Sequence, residues 1–226
     1  MSYQHKDIYG RVLPFTPGKV VCAGRNYRAH VEELGNQVPK HPLLFIKPAS
    51  ALQPMTQPIQ WPQVLGSCHH EIELSLLIGR SLSDPNPTAK QAMSSVWGYS
   101  LGLDLTLRDE QEKLKIQGHP WERAKAFAGS APMGSFIPAS EIGSVRDLQL
   151  ELQINGGVRQ AAETKSMMFN VLELLCEAAT IFTLQPGDIL MTGTPAGVGA
   201  LRRGDELHLQ LQGAEKHWSW KTRVAG

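Results

Sequence analysis

The 226-residue sequence has no apolar run near the roughly 20 residues that a membrane-crossing helix needs. Its first residues, Met1-Ser2-Tyr3-Gln4-His5-Lys6, are polar and lack the apolar core of a secretory signal. Neither sign of charge is in excess: 22 Lys and Arg stand against 21 Asp and Glu, a formal net charge of +1. Without a long basic run, nothing suggests electrostatic wrapping of nucleic acid. Aromatic residues are only 7% of the chain and do not interleave with arginines, so no base-stacking surface is indicated. The three cysteines, Cys22, Cys68 and Cys176, are odd in number and widely spaced, which excludes a disulfide framework. Each sits in an apolar or strand-like setting and reads as a buried structural thiol. These absences predict a cytoplasmic protein with no membrane and no nucleic-acid partner. No linker or internal repeat divides the chain, so a single domain over residues 1–226 is expected.

Glycine and proline are plentiful, 21 and 15 residues, among many short alternating segments. This predicts strands joined by turns, a mixed β fold with few helices. Strands are expected at 19–23, 43–46, 70–79, 97–107, 148–154 and 189–192, with 206–211 as the last. Asn155-Gly156 is the strongest hairpin signal. Asn170, with Glu173 three residues on, predicts a capped helix with an apolar stripe of Val171, Leu174, Leu175, Ala178 and Ile181. Met167 and Met168 before it read as core filler. Shorter helical stretches are expected at 26–34, 88–93 and 121–126. The charged segment 109–118 reads as a solvated loop or helix.

Three carboxylates carry the chemistry. Strand side chains alternate faces, so Glu71 and Glu73 point away from Ile72, Leu74, Leu76 and Ile78. Asp104 points away from Leu101, Leu103, Leu105 and Leu107. Isolated acids often do no more than keep a strand face wet, but Asp104 lies in too apolar a segment for that. Buried unpaired, it would cost several kcal/mol or hold its proton. A cation shared by all three solves the problem, and an all-oxygen set suits Mg2+ or Mn2+. His69 falls on the same face, so a role as ligand or as a support behind the ligands is open for it. His70 is open to the supporting role or to facing substrate.

Further candidates follow from local pattern. His30 and Glu33, at i,i+3, would share a helix face, giving a base of fixed tautomer. Gly24 and Gly35 on either side would let that segment move as a lid. Lys125, in the apolar setting of Trp121, Ala124 and Phe127, could stabilise a developing oxyanion. Thr194 and the Gly193–Gly199 loop could bind a substrate carboxylate. The loop is no nucleotide-binding loop, because Pro195 interrupts it and Gly-Lys-Ser/Thr is missing.

Six blocks then occur in order: Gly24-Arg25-Asn26-Tyr27 with His30 and Glu33; Leu44-Phe45-Ile46-Lys47-Pro48; His70-Glu71-Ile72-Glu73; Gly102-Leu103-Asp104-Leu105-Thr106 with Arg108-Asp109; Trp121 with Lys125-Ala126-Phe127; and Thr192-Gly193-Thr194-Pro195-Ala196-Gly197-Val198-Gly199. Together they resemble the fumarylacetoacetate hydrolase family, and most closely its short acylpyruvase and oxaloacetate decarboxylase branch. The resemblance covers about residues 18–213 and implies a single catalytic domain with its core there, a β-sandwich or roll like that family's C-terminal domain, and a homodimer. It implies Glu71, Glu73 and Asp104 as Mg2+ or Mn2+ ligands, and His30, Glu33 and Lys125 as catalytic residues. Arg25, Lys47, Arg108 and Thr194 would lie around a small 2-keto or 2,4-diketo acid. One departure is visible: Phe127-Ala128 replaces the Phe-Asp of many relatives and removes a carboxylate near the pocket.

The first reading of the activity is hydrolysis of the C–C bond of acylpyruvates, with His30 activating water and the leaving pyruvate enolate held by the metal and Lys125. The same site would serve oxaloacetate decarboxylation, oxaloacetate tautomerisation, or an isomerase or decarboxylase of aromatic breakdown. A non-catalytic protein on the same fold is the rival of another class.

Overall fold

In the computed structural model, residues 3–33, 35 and 37–226 are described. The first apolar run forms β1 (Val20–Gly24) and the next β2 (Leu43–Lys47), which Pro48 ends. The proline-rich stretch that follows yields only β3 (Leu52–Pro54), at a sheet edge, because proline donates nothing to a ladder. Then β4 (Cys68–His70) and β5 (Ile72–Ile78) flank Glu71, while β6 (Val96–Leu103) and β7 (Thr106–Leu107) flank Asp104 and Leu105. Two short strands, β8 (Ala131–Met133) and β9 (Ile137–Pro138), come next. The hairpin of β10 (Gln149–Ile154) and β11 (Gly157–Glu163) turns at Asn155-Gly156, whose φ values of 52° and 79° suit a two-residue turn. The rest are β12 (Ile189–Met191), β13 (Gly199–Ala200), β14 (Glu206–Gln212) and β15 (His217–Arg223).

These strands make three sheets. The largest runs β2-β1-β12-β5-β6-β8-β3, with β9 also paired to β6. A second runs β11-β10-β14-β15, and a small third runs β13-β4-β7. β10 packs on β5 and β14 on β6, so the first two sheets form a sandwich. The inner face of β10 and β14 supplies Leu150, Leu152, Ile154, Leu207, Leu209 and Leu211, and polar residues alternate outward. β5 and β6 are buried on both faces. Ile72, Leu74, Leu76 and Ile78 join the sandwich core, while Leu77, on the other face, joins a second core with Val20, Cys22 and Met191. The fold is mostly strand, with few helices, as the turn-rich sequence predicts.

Five helices complete the described chain: α1 (Arg28–Glu33), α2 (Ala89–Ser95), α3 (Arg108–Gln117), α4 (Glu122–Lys125) and α5 (Val171–Phe182). Thr88 with Gln91 and Asn170 with Glu173 form reciprocal capping boxes that start α2 and α5. Among the described residues, no helix is long and apolar enough to cross a membrane.

The structure departs from the sequence expectations in a few places. β14 is not the last strand: β15 pairs with it along its whole length, despite a mixed, charged sequence with Trp218 and Trp220. Ile181 ends the apolar stripe of α5 but is 56% exposed, because the helix outruns the core there. Cys22 and Cys68 are buried, whereas Cys176 is only half-buried, and so is Met168. The segment expected as a solvated loop or helix is the ten-residue α3, and one of its faces is not solvated. Leu34, the expected end of the first helix, lies outside the described residues.

A buried histidine ties the amino-terminal segment to the sheet. His5 is fully buried, its Nε2 donating to the Gly187 carbonyl at 3.0 Å and its Nδ1 lying 3.2 Å from the Tyr3 hydroxyl. Burial lowers its pKa to about 4, with the Gly187 hydrogen bond opposing weakly. A depressed histidine pKa gives stability that is full above the ordinary value near 6.5 and drains away as pH falls toward 4. Linkage predicts a loss of about 2 kcal/mol between pH 7.5 and 5.0 from this residue. His5→Gln keeps a donor for Gly187 but cannot protonate, so thermal unfolding of the variant should be less sensitive over that range. Equal acid sensitivity in both proteins would clear His5 of the role.

Candidate active site

Each of the three acids sits at or beside the point where a strand stops. β5 and β6 pair antiparallel, with Ile72 opposite Leu103 and Glu73 opposite Gly102. One step beyond, the Asp104 amide donates to the Glu71 carbonyl at 2.8 Å. Alternation then turns all three side chains off the sandwich core. Their carboxylate oxygens lie within 4.8 Å of one another, and the residues are 5%, 2% and 1% exposed in the order Glu71, Glu73, Asp104.

The surrounding charges are uneven. Glu71 accepts from Lys125 Nζ at 2.7 Å through Oε2 and from Arg108 Nη2 through Oε1. Burial alone would raise its pKa, but Lys125 and Arg108 outweigh that and hold it far below the carboxylate range. Asp104 Oδ2 accepts from Lys125 Nζ at 2.5 Å. Burial would lower Lys125, but Asp104 and Glu71 hold it above its ordinary value, so it stays an ammonium. The Phe45 ring lies 5.1 Å from the same nitrogen. Glu73 is the opposite case. Burial, then the charges of Asp104 and Glu71, push it well above the carboxylate range, and the one hydrogen bond found for it, from the Gly193 amide at 2.7 Å, does not offset them.

A cation shared by the three acids would relieve that asymmetry. Glu73 faces two anions with no cation of its own. Asp104 Oδ1 lies 2.7 Å from Lys47 Nζ, yet receives no directed hydrogen bond, because the Lys47 ammonium points at the carbonyls of Leu105, Lys125 and Ser130. Three hard carboxylates with an under-bonded buried oxygen suit an octahedral Mg2+ or Mn2+.

The other candidates are brought together only in part. Arg25, His30, Arg108, Lys125 and Thr194 line one cleft with the three acids. Lys47 does not line it: it is fully buried behind Asp104, and positions that carboxylate instead of reaching toward a ligand. His69 is outside the acidic group and the cleft, and His70 Nδ1 is bonded to Gln160 Oε1 at 2.9 Å. Ala128 is exposed and off the cleft lining, so the carboxylate it lacks is not missed there. His30 is 5% exposed and burial lowers its pKa, against the opposing charge of Glu71, so the imidazole is neutral. Its Nδ1 lies 3.5 Å from Glu33 Oε2, close enough for the charges to interact but without a directed hydrogen bond. Both Glu33 oxygens also lie 3.1 Å from the Gly197 amide, which ties α1 to the 193–199 loop.

Two glycines shape that loop. Gly193 and Gly197 both have φ of 95°, and an added Cβ would sit 2.6 Å from Asn26 Cβ or 2.0 Å from the Arg159 carbonyl oxygen respectively. Three contributors escape the sequence reading. Gln160 is buried in an otherwise exposed part of β11, where Oε1 accepts from His70 Nδ1 and the Ile72 amide and Nε2 donates to Thr194 Oγ1 and the Pro195 carbonyl. It thereby holds the strand of Glu71 and Glu73 against the 193–199 loop. Gln111 and Lys115 line the cleft from α3. Their spacing from Arg108, i+3 and i+7, is the signal that places them on its face.

Comparison with known proteins bears on this arrangement. The model of the fumarylacetoacetate (FAA) hydrolase C-terminal family matches residues 19–217. The chain belongs to the fumarylacetoacetate hydrolase family. Within the family it is similar to oxaloacetate tautomerase YcgM of Escherichia coli, at 45% identity over 212 residues, covering 93% of this chain and 96% of that protein. It is 41% identical over 194 residues to the human mitochondrial oxaloacetate tautomerase FAHD1, covering 86% of this chain and 87% of that one. The crystal structure of fumarylpyruvate hydrolase from Pseudomonas aeruginosa, in complex with Mn2+ and pyruvate, superposes with a TM-score of 0.90 at 36% identity, covering 99% of this chain and 96% of that chain. This family member is an enzyme, with a candidate divalent-metal site at Glu71, Glu73 and Asp104.

Proposed function

We propose that the protein is an oxaloacetate tautomerase, interconverting the keto and enol forms of that acid, and that it works as a single catalytic domain in a homodimer. The observation that carries the reaction is the near-full-length similarity to oxaloacetate tautomerases, joined to a cleft that holds a neutral imidazole and a permanent ammonium together. These points put tautomerisation ahead of the hydrolysis that the sequence reading places first.

A divalent ion held by Glu71, Glu73 and Asp104 would polarise the 2-oxo group. The neutral imidazole of His30 is the base that takes a proton from C3 of the keto form and, as imidazolium, delivers it to the 2-oxygen to give the enol; the reverse reaction runs the same transfer backwards. Glu33 sets a negative charge beside Nδ1, which favours the imidazolium formed in the transfer, and through Gly197 keeps α1 over the cleft. Lys125 remains charged and sits where negative charge grows on the substrate oxygen, so it stabilises without having to give up its proton. Thr194 is positioned by Gln160 to hold a substrate oxygen, and α1 keeps bulk water out.

The assay follows the ultraviolet absorbance of the enol after pure enol or pure keto oxaloacetate is added. With Mg2+ present, the protein should speed equilibration in both directions and cleave acetylpyruvate far more slowly. Cleavage of acetylpyruvate that outpaces tautomerisation would restore the hydrolase reading.

A further inference from the structure

The cleft carries cations beyond the one that faces the acids. α3 places Arg108, Gln111 and Lys115 on the face that lines the cleft. Arg108 is committed to Glu71 and to Gln111 Oε1, the latter at 2.6 Å. Arg25 lines the same cleft from just beyond β1. Lys115 feels its neighbours: burial, then the charges of Arg25 and Arg108, lower its pKa against the weaker pull of Glu112. Three cations thus gather around one small opening, where like charges oppose one another.

Arg25 is also held there against its own backbone preference. Its φ of 58° is left-handed, a region that arginine rarely adopts. The next residue enforces it. Asn26 is fully buried, and its Nδ2 donates to the carbonyls of Phe169 at 2.9 Å and Thr192 at 2.8 Å, while Oδ1 accepts from the Phe169 amide at 2.8 Å. Backbone strain kept in place by a fully bonded neighbour, beside a cleft, is a mark of a positioned functional group.

The geometry points to Arg25 and Lys115 as the subsite for a second substrate carboxylate, which makes the enzyme selective for 2-oxo dicarboxylates over 2-oxo monocarboxylates. The acid cluster and Lys125 take the 2-oxo acid end, and the far carboxylate answers the two cations at the opening. The inference rests on the oxaloacetate reading and deepens it, because it says which part of the acid is gripped.

Oxaloacetate and 2-oxobutanoate differ only by a 4-carboxylate in place of a methyl, so they isolate this subsite. Calorimetric titration of the Mg2+-loaded protein with both acids, and with oxalate as a ligand for the metal end alone, reads it directly. Wild type should bind oxaloacetate about 10-fold or more tighter than 2-oxobutanoate, the scale of one charge-assisted contact. Lys115→Met and Arg25→Asn should each remove most of that preference while leaving 2-oxobutanoate and oxalate within about 2-fold of wild type. Asparagine tolerates the left-handed backbone, so the second variant removes charge without refolding the loop. Lys115→Arg should keep the preference, and added salt should shrink it in wild type. Equal binding of the two acids by wild type, or an equal loss for all three ligands in the variants, would overturn the subsite. Loss of enol formation with the binding preference intact would strike the tautomerase reading alone.

Discussion

Glu73→Gln should abolish the response to Mg2+ and with it turnover. In the wild-type protein, saturating Mg2+ at 100 times its Kd should stabilise the fold by about 2.7 kcal/mol and raise Tm. Loss of groups that merely orient ligands costs roughly 10- to 100-fold in metal affinity, so loss of a charged ligand should cost at least about 100-fold. The variant separates binding from folding. A glutamine Oε1 still accepts the Gly193 amide, and the repulsion that raises the Glu73 pKa disappears. The metal-free variant should therefore unfold at or above the wild-type Tm while its Mg2+-induced shift vanishes. Chelator treatment of wild type should give the same inactive state, reversed by Mg2+ or Mn2+. An unchanged Mg2+ shift in Glu73→Gln would remove this residue from the ligand set.

His30→Ala should slow oxaloacetate tautomerisation by roughly 100-fold or more, the scale for loss of a general acid–base residue. The reason lies in burial and placement: the imidazole is neutral, lines the cleft and has Glu33 beyond Nδ1. Glu33→Gln should cost less in rate, since the imidazole remains. It also weakens the tie to the Gly197 amide, so KM should rise as well. Lys125→Ala should be as damaging as His30→Ala but through a different term, leaving Glu71 and Asp104 without the ammonium they share. Rates near wild type in His30→Ala would mean that another group moves the C3 proton.

The sequence by itself determined which way the three acids point. Period-two alternation put Glu71, Glu73 and Asp104 off the core face, whereas the pairing of β5 with β6 that brings them together is a tertiary contact. The two capping boxes and the Asn155-Gly156 turn were equally legible, because each depends on a few neighbouring residues. Six ordered blocks carried the family. What only the tertiary structure decided depends on contacts between distant segments. Burial of β5 and β6 on both faces comes from a second core that no alternation reveals. Lys47 looks like a cleft residue in its block, yet the chain folds it behind Asp104, where three backbone carbonyls fix it. Gln160 joins His70, Ile72, Thr194 and Pro195 only because β11 lies across the ends of β4 and the 193–199 loop. Lys115 reads as solvated charge until α3 is rotated about Arg108 and its face meets Arg25. Local patterning sets which way a side chain points along its own strand or helix, whereas the partner it meets there is fixed by packing between elements far apart in the chain.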